Sequence, residues 1–87
     1  MIRIAICDDE ESMSNRIRTM ASAFFRGKNM ETAIMQISGG EELLGYGGPI
    51  DILFLDIQMA CMDGMETAVK LREKGFRGFL IFITVLR

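Results

Sequence analysis

Four apolar residues, Ile52-Leu53-Phe54-Leu55, run without a polar break and stop at a carboxylate, Asp56. A short apolar run bounded in this way reads as a strand buried on both faces of a parallel sheet. A loop follows, and Asp63-Gly64 opens a helix. In an open α/β sheet, ligands bind just past the carboxyl ends of the strands. Asp56 is therefore expected at such a rim, its backbone held by the sheet and its side chain facing solvent.

Taken alone, Asp56 is ambiguous, because an acid after an apolar strand is most often a loop residue or a helix cap. A nucleotide-site carboxylate would need a phosphate loop of the form GxxxxGK[ST]. The one Gly-Lys pair, Gly27-Lys28, is followed by Asn29 and has no glycine five residues before it. An aspartyl phosphatase needs a second aspartate two residues after the nucleophile, and that position is Gln58. The N-terminus narrows the choice. Met1 to Cys7 is a second apolar strand, and it too ends in acid, Asp8-Asp9-Glu10. Helix capping accounts for one or two of these acids. Two strands delivering carboxylates to one rim can also build a site for a hard cation, which takes oxygen ligands.

Between and after these strands the pattern alternates. Met13, Ile17, Met20, Ala21 and Phe24 fall at helical spacing and are expected to pack on the core. Gly27-Lys28-Asn29 ends that helix, and residues 32–38 form a strand. A short helix covers Glu41 to Leu44, and the glycine-rich loop 45–49 fits no phosphate fingerprint. Met65, Ala68, Val69 and Leu71 give the next helix a broad apolar face, and Phe79 to Thr84 reads as another buried strand. Alternating strands and helices imply one parallel sheet with right-handed crossovers.

Composition removes several functions. Ten basic residues against twelve acidic ones leave a net charge of −2, which provides no basic face for nucleic acid. The chain has no histidine, so it has no histidine metal ligand, no Ser-His-Asp triad and no phosphohistidine of its own. No apolar run is long enough to span a membrane and no signal-peptide pattern opens the chain, so a cytoplasmic location is expected. Cys7 and Cys61 are expected as free thiols.

Three segments then converge on one family. Ile6-Cys7-Asp8-Asp9-Glu10, Leu53 to Met59 with Met62-Asp63-Gly64, and Phe82-Ile83-Thr84 resemble the signatures of response-regulator receiver domains, in the family's order and spacing. The wording Cys-Asp-Asp-Glu is similar to receivers of LytTR-type transcription regulators. The resemblance implies a flavodoxin-like doubly wound α/β fold with strand order 2-1-3-4-5. It implies that Asp56 accepts a phosphoryl group from a sensor histidine kinase, with Mg²⁺ as cofactor. Asp9 and Asp56 would ligate the metal directly, Asp8 largely through water, and Gln58 through its backbone carbonyl. The Thr84 hydroxyl would turn toward the phosphoryl group and switch the conformation. Such a domain catalyses only its own phosphorylation and dephosphorylation. Any DNA contact would belong to an output domain outside residues 1–87.

Four departures from the family pattern stand out. Ala60 occupies a position that is usually proline, Cys61 places a thiol beside the site, and Val85 stands where a small residue is usual. The chain as given also ends at Arg87, so it reads as a single partial receiver, lacking the last helix, strand and helix and the site lysine. Lys28, Lys70 and Lys74 do not match that lysine. Two further readings stay open: an interaction module that is not phosphorylated, and an aspartyl-phosphate phosphatase, which Gln58 disfavours. Strand 79–84 is expected to present an edge for homodimer formation or segment exchange.

Overall fold

The computed structural model describes residues 1–84. Seven elements alternate along them: β1 (Ile2–Cys7), α1 (Glu11–Gly27), β2 (Thr32–Ile37), α2 (Gly40–Gly45), β3 (Ile52–Asp56), α3 (Gly64–Glu73) and β4 (Phe79–Ile83). The strands make one parallel sheet in the order β2-β1-β3-β4. From β1 the chain first crosses to β2 on one side and later returns to β3 on the other. The carboxyl ends of β1 and β3 therefore lie side by side where the winding reverses, which is where such sheets bind ligands. Cys7 is in register with Leu55, and Asp56 with Ile83. Asp8, one residue past Cys7, thus comes level with Asp56.

Helices pack on both faces of the sheet, and β1 is buried from Ile4 to Cys7. In β3 Leu53 and Leu55 are buried, while Ile52 and Phe54 on the other face are half-buried, short of the burial on both faces that the sequence implies. Ile4 and Ile6 face α1, where Ala21, Ile17 and Phe25 pack on them. Ala5, Cys7, Leu53 and Leu55 face α2 and α3 and meet Leu43, Ala68 and Leu71. A fully buried side chain of this size contributes about 1.5–3 kcal/mol relative to exposure. The carboxyl ends of these two central strands are therefore well-packed places to mount a side chain.

Three expectations about burial need correction. On α1, Met20 and Phe24 are exposed, while the sheet-facing line runs through Ser14, Ile17, Ala21 and Phe25. A polar anchor fixes this rotation. Gln36 of β2 donates to Ser14 Oγ (2.9 Å) and Asn15 Oδ1 (2.8 Å), and accepts from Arg18 (2.8 Å). On α3, Met65 and Val69 are exposed, and the buried line is Gly64, Thr67, Ala68 and Leu71. Thr67 can be buried because its hydroxyl donates to the Asp63 carbonyl at 2.9 Å. Lastly, β4 is not a buried strand: Phe79, Ile81 and Phe82 are all exposed. Among the described residues β4 pairs only with β3, and α1 packs over β1 and β2 instead.

Candidate functional site

The rim formed by β1 and β3 carries three converging carboxylates. One oxygen from each of Asp8, Asp9 and Asp56 lies within 4.8 Å of the others. Asp8 and Asp56 are 3% and 1% exposed, whereas Asp9 faces solvent. The expectation that Asp56 faces solvent is thus overturned. The loop after β3 folds back over it, closed by the Gly64 N–H donating to the Ile57 carbonyl at 2.8 Å. Gly64 makes this approach possible, since a Cβ there would collide with the Asp56 carbonyl and sit 2.8 Å from the Ile57 Cα.

Each carboxylate is gripped by a backbone N–H. Glu10 donates to Asp8 Oδ1 (2.8 Å) and Gln58 to Asp56 Oδ1 (3.1 Å), so both strands end in the same turn, an aspartate accepting from two residues ahead. Ala60 donates to Asp9 Oδ2 at 2.9 Å, which ties the loop after β3 to the end of β1. A proline at position 60 would have no N–H to give. Asp63, at the far end of the loop, caps α3 by accepting from Glu66 N at 2.8 Å.

The donor set fits a hard divalent cation. Three carboxylates supply only oxygen, and opposed ligands around Mg²⁺ or Ca²⁺ lie about 4–5 Å apart. Cys7 is no rival ligand. It points to the opposite face, fully buried, and its thiol donates to Met59 Sδ at 3.7 Å. Burial pushes the Cys7 thiol up to about 12, and the charges of Asp8, Glu42, Asp56 and Asp9 push the same way. A soft metal would need the thiolate.

The remaining expected residues are placed as follows. Thr84 is exposed and directly follows Ile83, the register partner of Asp56, whose carbonyl accepts the Ile57 N–H at 3.2 Å. It therefore stands at the same rim, one residue past the level of Asp56. Cys61 is exposed in the loop. The three lysines are engaged elsewhere: Lys28 over the Phe24 ring, Lys70 with Glu66, and Lys74 with the Leu44 carbonyl. Val85 lies outside the described residues. Beside the carboxylates a cleft of about 380 Å³ opens between α1 and β2, lined by Asp8, Asp9, Glu11, Ser14 and Gln36.

Sequence reasoning missed three contributors. The Ala60 N–H carries no side-chain signal. Met59 reads as an ordinary apolar residue, and its contact with the Cys7 thiol joins two distant segments. Gln36 interrupts an apolar strand, and that interruption was the available clue to a polar partner on α1.

No family model and no curated protein matches the chain. Solved structures do. The response regulator TrrA of Thermotoga maritima, in complex with Mg²⁺-BeF, is 31% identical, with 86% of this chain and 62% of that one covered and a TM-score of 0.64. The complex of histidine kinase ThkA with TrrA matches at 30% identity, with 98% of this chain and 70% of the matched one covered and a TM-score of 0.66. The receiver domain of a Francisella response regulator shares the fold at 19% identity, covering 94% of this chain and 64% of that one with a TM-score of 0.71. The chain therefore spans less than two thirds of some of the structures it matches. With the sheet order, the register that levels Asp8 with Asp56, and these matches together, the chain belongs to the response-regulator receiver domains.

Proposed function

We propose that the protein accepts a phosphoryl group on Asp56, in a reaction that depends on Mg²⁺. The observation that carries this reading is the convergence of Asp8, Asp9 and Asp56 at the winding reversal. A carboxylate needs no base to act as a nucleophile. One Asp56 oxygen attacks phosphorus, the bond from phosphorus to the donor breaks, and the donor nitrogen of a phosphohistidine keeps the electron pair. The Gln58 N–H holds Asp56 in line for that attack. Asp9 and Asp56 would hold Mg²⁺ directly, Asp8 through water, with the Gln58 carbonyl completing the protein ligands. When bound, the ion neutralises phosphoryl charge and aligns the oxygens.

The donor is a sensor histidine kinase, a partner type that the TrrA complex exemplifies for that protein. The Thr84 hydroxyl turns toward the phosphoryl group and shifts the balance between two pre-existing conformations. The same rim later hydrolyses the acyl phosphate. The chain works in the cytoplasm, any DNA binding belongs to an output domain, and β4, which among the described residues pairs with β3 alone and exposes Phe79, Ile81 and Phe82, supports association with a second copy.

Incubation with Mg²⁺ and a small acyl phosphate, read by intact mass spectrometry, tests the reading. The wild type gains one phosphoryl group and Asp56→Asn gains none; phosphorylation that survives the substitution refutes the assignment. The second reading is a receiver-like interaction module without phosphorylation. It predicts an unmodified wild type. Calorimetric titration separates the metal roles. Asp9→Ala weakens Mg²⁺ binding by about tenfold or more, as loss of a directly bound carboxylate should exceed the effect of an outer partner. Glu10→Ala, whose carboxylate accepts from Ser12 at 3.1 Å instead, leaves it nearly unchanged. Equal losses would refute the division.

A further inference from the structure

We infer that Met59 is a positioning residue for the carboxylate cluster, acting as the pin of a backbone clip formed by residues 58–60. The inference rests on the metal-site reading for its consequence, but its geometry stands alone. Gln58 and Ala60, on either side of Met59, send their N–H groups to different carboxylates, Asp56 Oδ1 and Asp9 Oδ2. Their own side chains are exposed, so neither residue is fixed by packing. Met59 alone of the three is anchored. It packs against the core cluster of Cys7, Leu55 and their neighbours, and its sulfur accepts from the Cys7 thiol. Cys7 belongs to β1, the strand that also delivers Asp8 and Asp9.

One side chain thus ties the loop after β3 to the end of β1, beneath the carboxylates that those two strands present. With the Met59 Cα fixed from below, the two flanking N–H groups are held at the spacing of Asp56 and Asp9. Without that pin the loop keeps its closure at Gly64 but loses the reason for its central residues to stay in place. Shape and burial matter more than the thioether, since a sulfur contact of this kind adds little beyond packing. A leucine should therefore serve, and an alanine should not.

Amide hydrogen exchange by NMR, together with Mg²⁺ titration, tests the pin in the intact protein. In Met59→Ala, exchange at Gln58 and Ala60 rises by about tenfold or more, as for a local opening, while Leu53 to Leu55 stay protected. Mg²⁺ binding weakens by about tenfold, the scale seen when an outer partner of a metal ligand is lost. Met59→Leu restores both readouts. Ala60→Pro removes the donor to Asp9 but keeps the Met59 side chain, and Gln58 protection survives. Unchanged exchange in Met59→Ala, or a rise shared equally by Leu53 to Leu55, overturns the inference. A wild type that binds no Mg²⁺ overturns the metal reading, and the exchange arm then decides the pin by itself.

Discussion

β3 and β4 are neighbouring strands of equal length and similar composition, Ile52–Asp56 and Phe79–Ile83, paired in parallel register. Yet Leu53 and Leu55 are wholly buried, while Phe79 is 77% exposed. The difference is position. β3 has a strand on each side, and its Leu53 and Leu55 pack with Leu43, Ala68 and Leu71 of α2 and α3, whereas β4, among the described residues, has β3 alone beside it. On the other face Ile52 and Phe54 of β3 are only half-buried. An apolar run specifies that a strand will form; the neighbours specify how tightly its atoms are held. The carboxylate that needs fixed placement, Asp56, stands at the end of the strand that is paired on both edges.

Paired substitutions test that contrast where the effect is largest. Leu55→Ala removes a buried side chain from the interior strand and should lower stability by about 2–5 kcal/mol. Ile81→Lys, on the exposed strand, should stay within about 0.5 kcal/mol of the wild type, as exposed sites do. Urea unfolding followed by circular dichroism measures both. In light scattering coupled to size exclusion, Ile81→Lys should also reduce any self-association through the β4 edge. Equal destabilisation by the two changes would mean that β4 is covered in solution.

The same contrast explains what could be read from sequence. The strands and the acidic rim were legible because two apolar runs each end in acid, and two such strands of one parallel sheet bring their acids to the same rim; one such run alone is ambiguous. The rotation of the helices was not. Methionine, valine and phenylalanine at helical spacing suit a core or a bare flank, and the choice on α1 turned on Gln36 reaching Ser14 and Asn15 from another element. Asp56 was expected in solvent because nothing in the loop composition announces that Gly64 lets the chain fold back over it. The grip on Asp9 was invisible for a simpler reason. It is made by a main-chain N–H that every residue except proline carries.

The two thiols sharpen the comparison with a smaller effect. Cys7 sits in the interior strand β1 and is fully buried, whereas Cys61 is exposed in the loop. At mild pH a thiol reagent should modify Cys61 readily and reach Cys7 only on unfolding, because the thiolate is the reactive form and Cys7 is both covered and held neutral. Alkali extends the argument. The Cys7 thiol is pushed from 9.0 to about 12, first by burial and then by the nearby carboxylates, so the unfolded chain gives up this proton before the folded one does. The stability owed to the neutral buried thiol is therefore complete below pH 9.0 and is lost as the pH climbs from there toward about 12. Unfolding measured across that window should show a fall that Cys7→Ala makes shallower and Cys61→Ala leaves unchanged. If Cys61→Ala flattened the slope instead, the covered and uncovered regions would have been assigned the wrong way round.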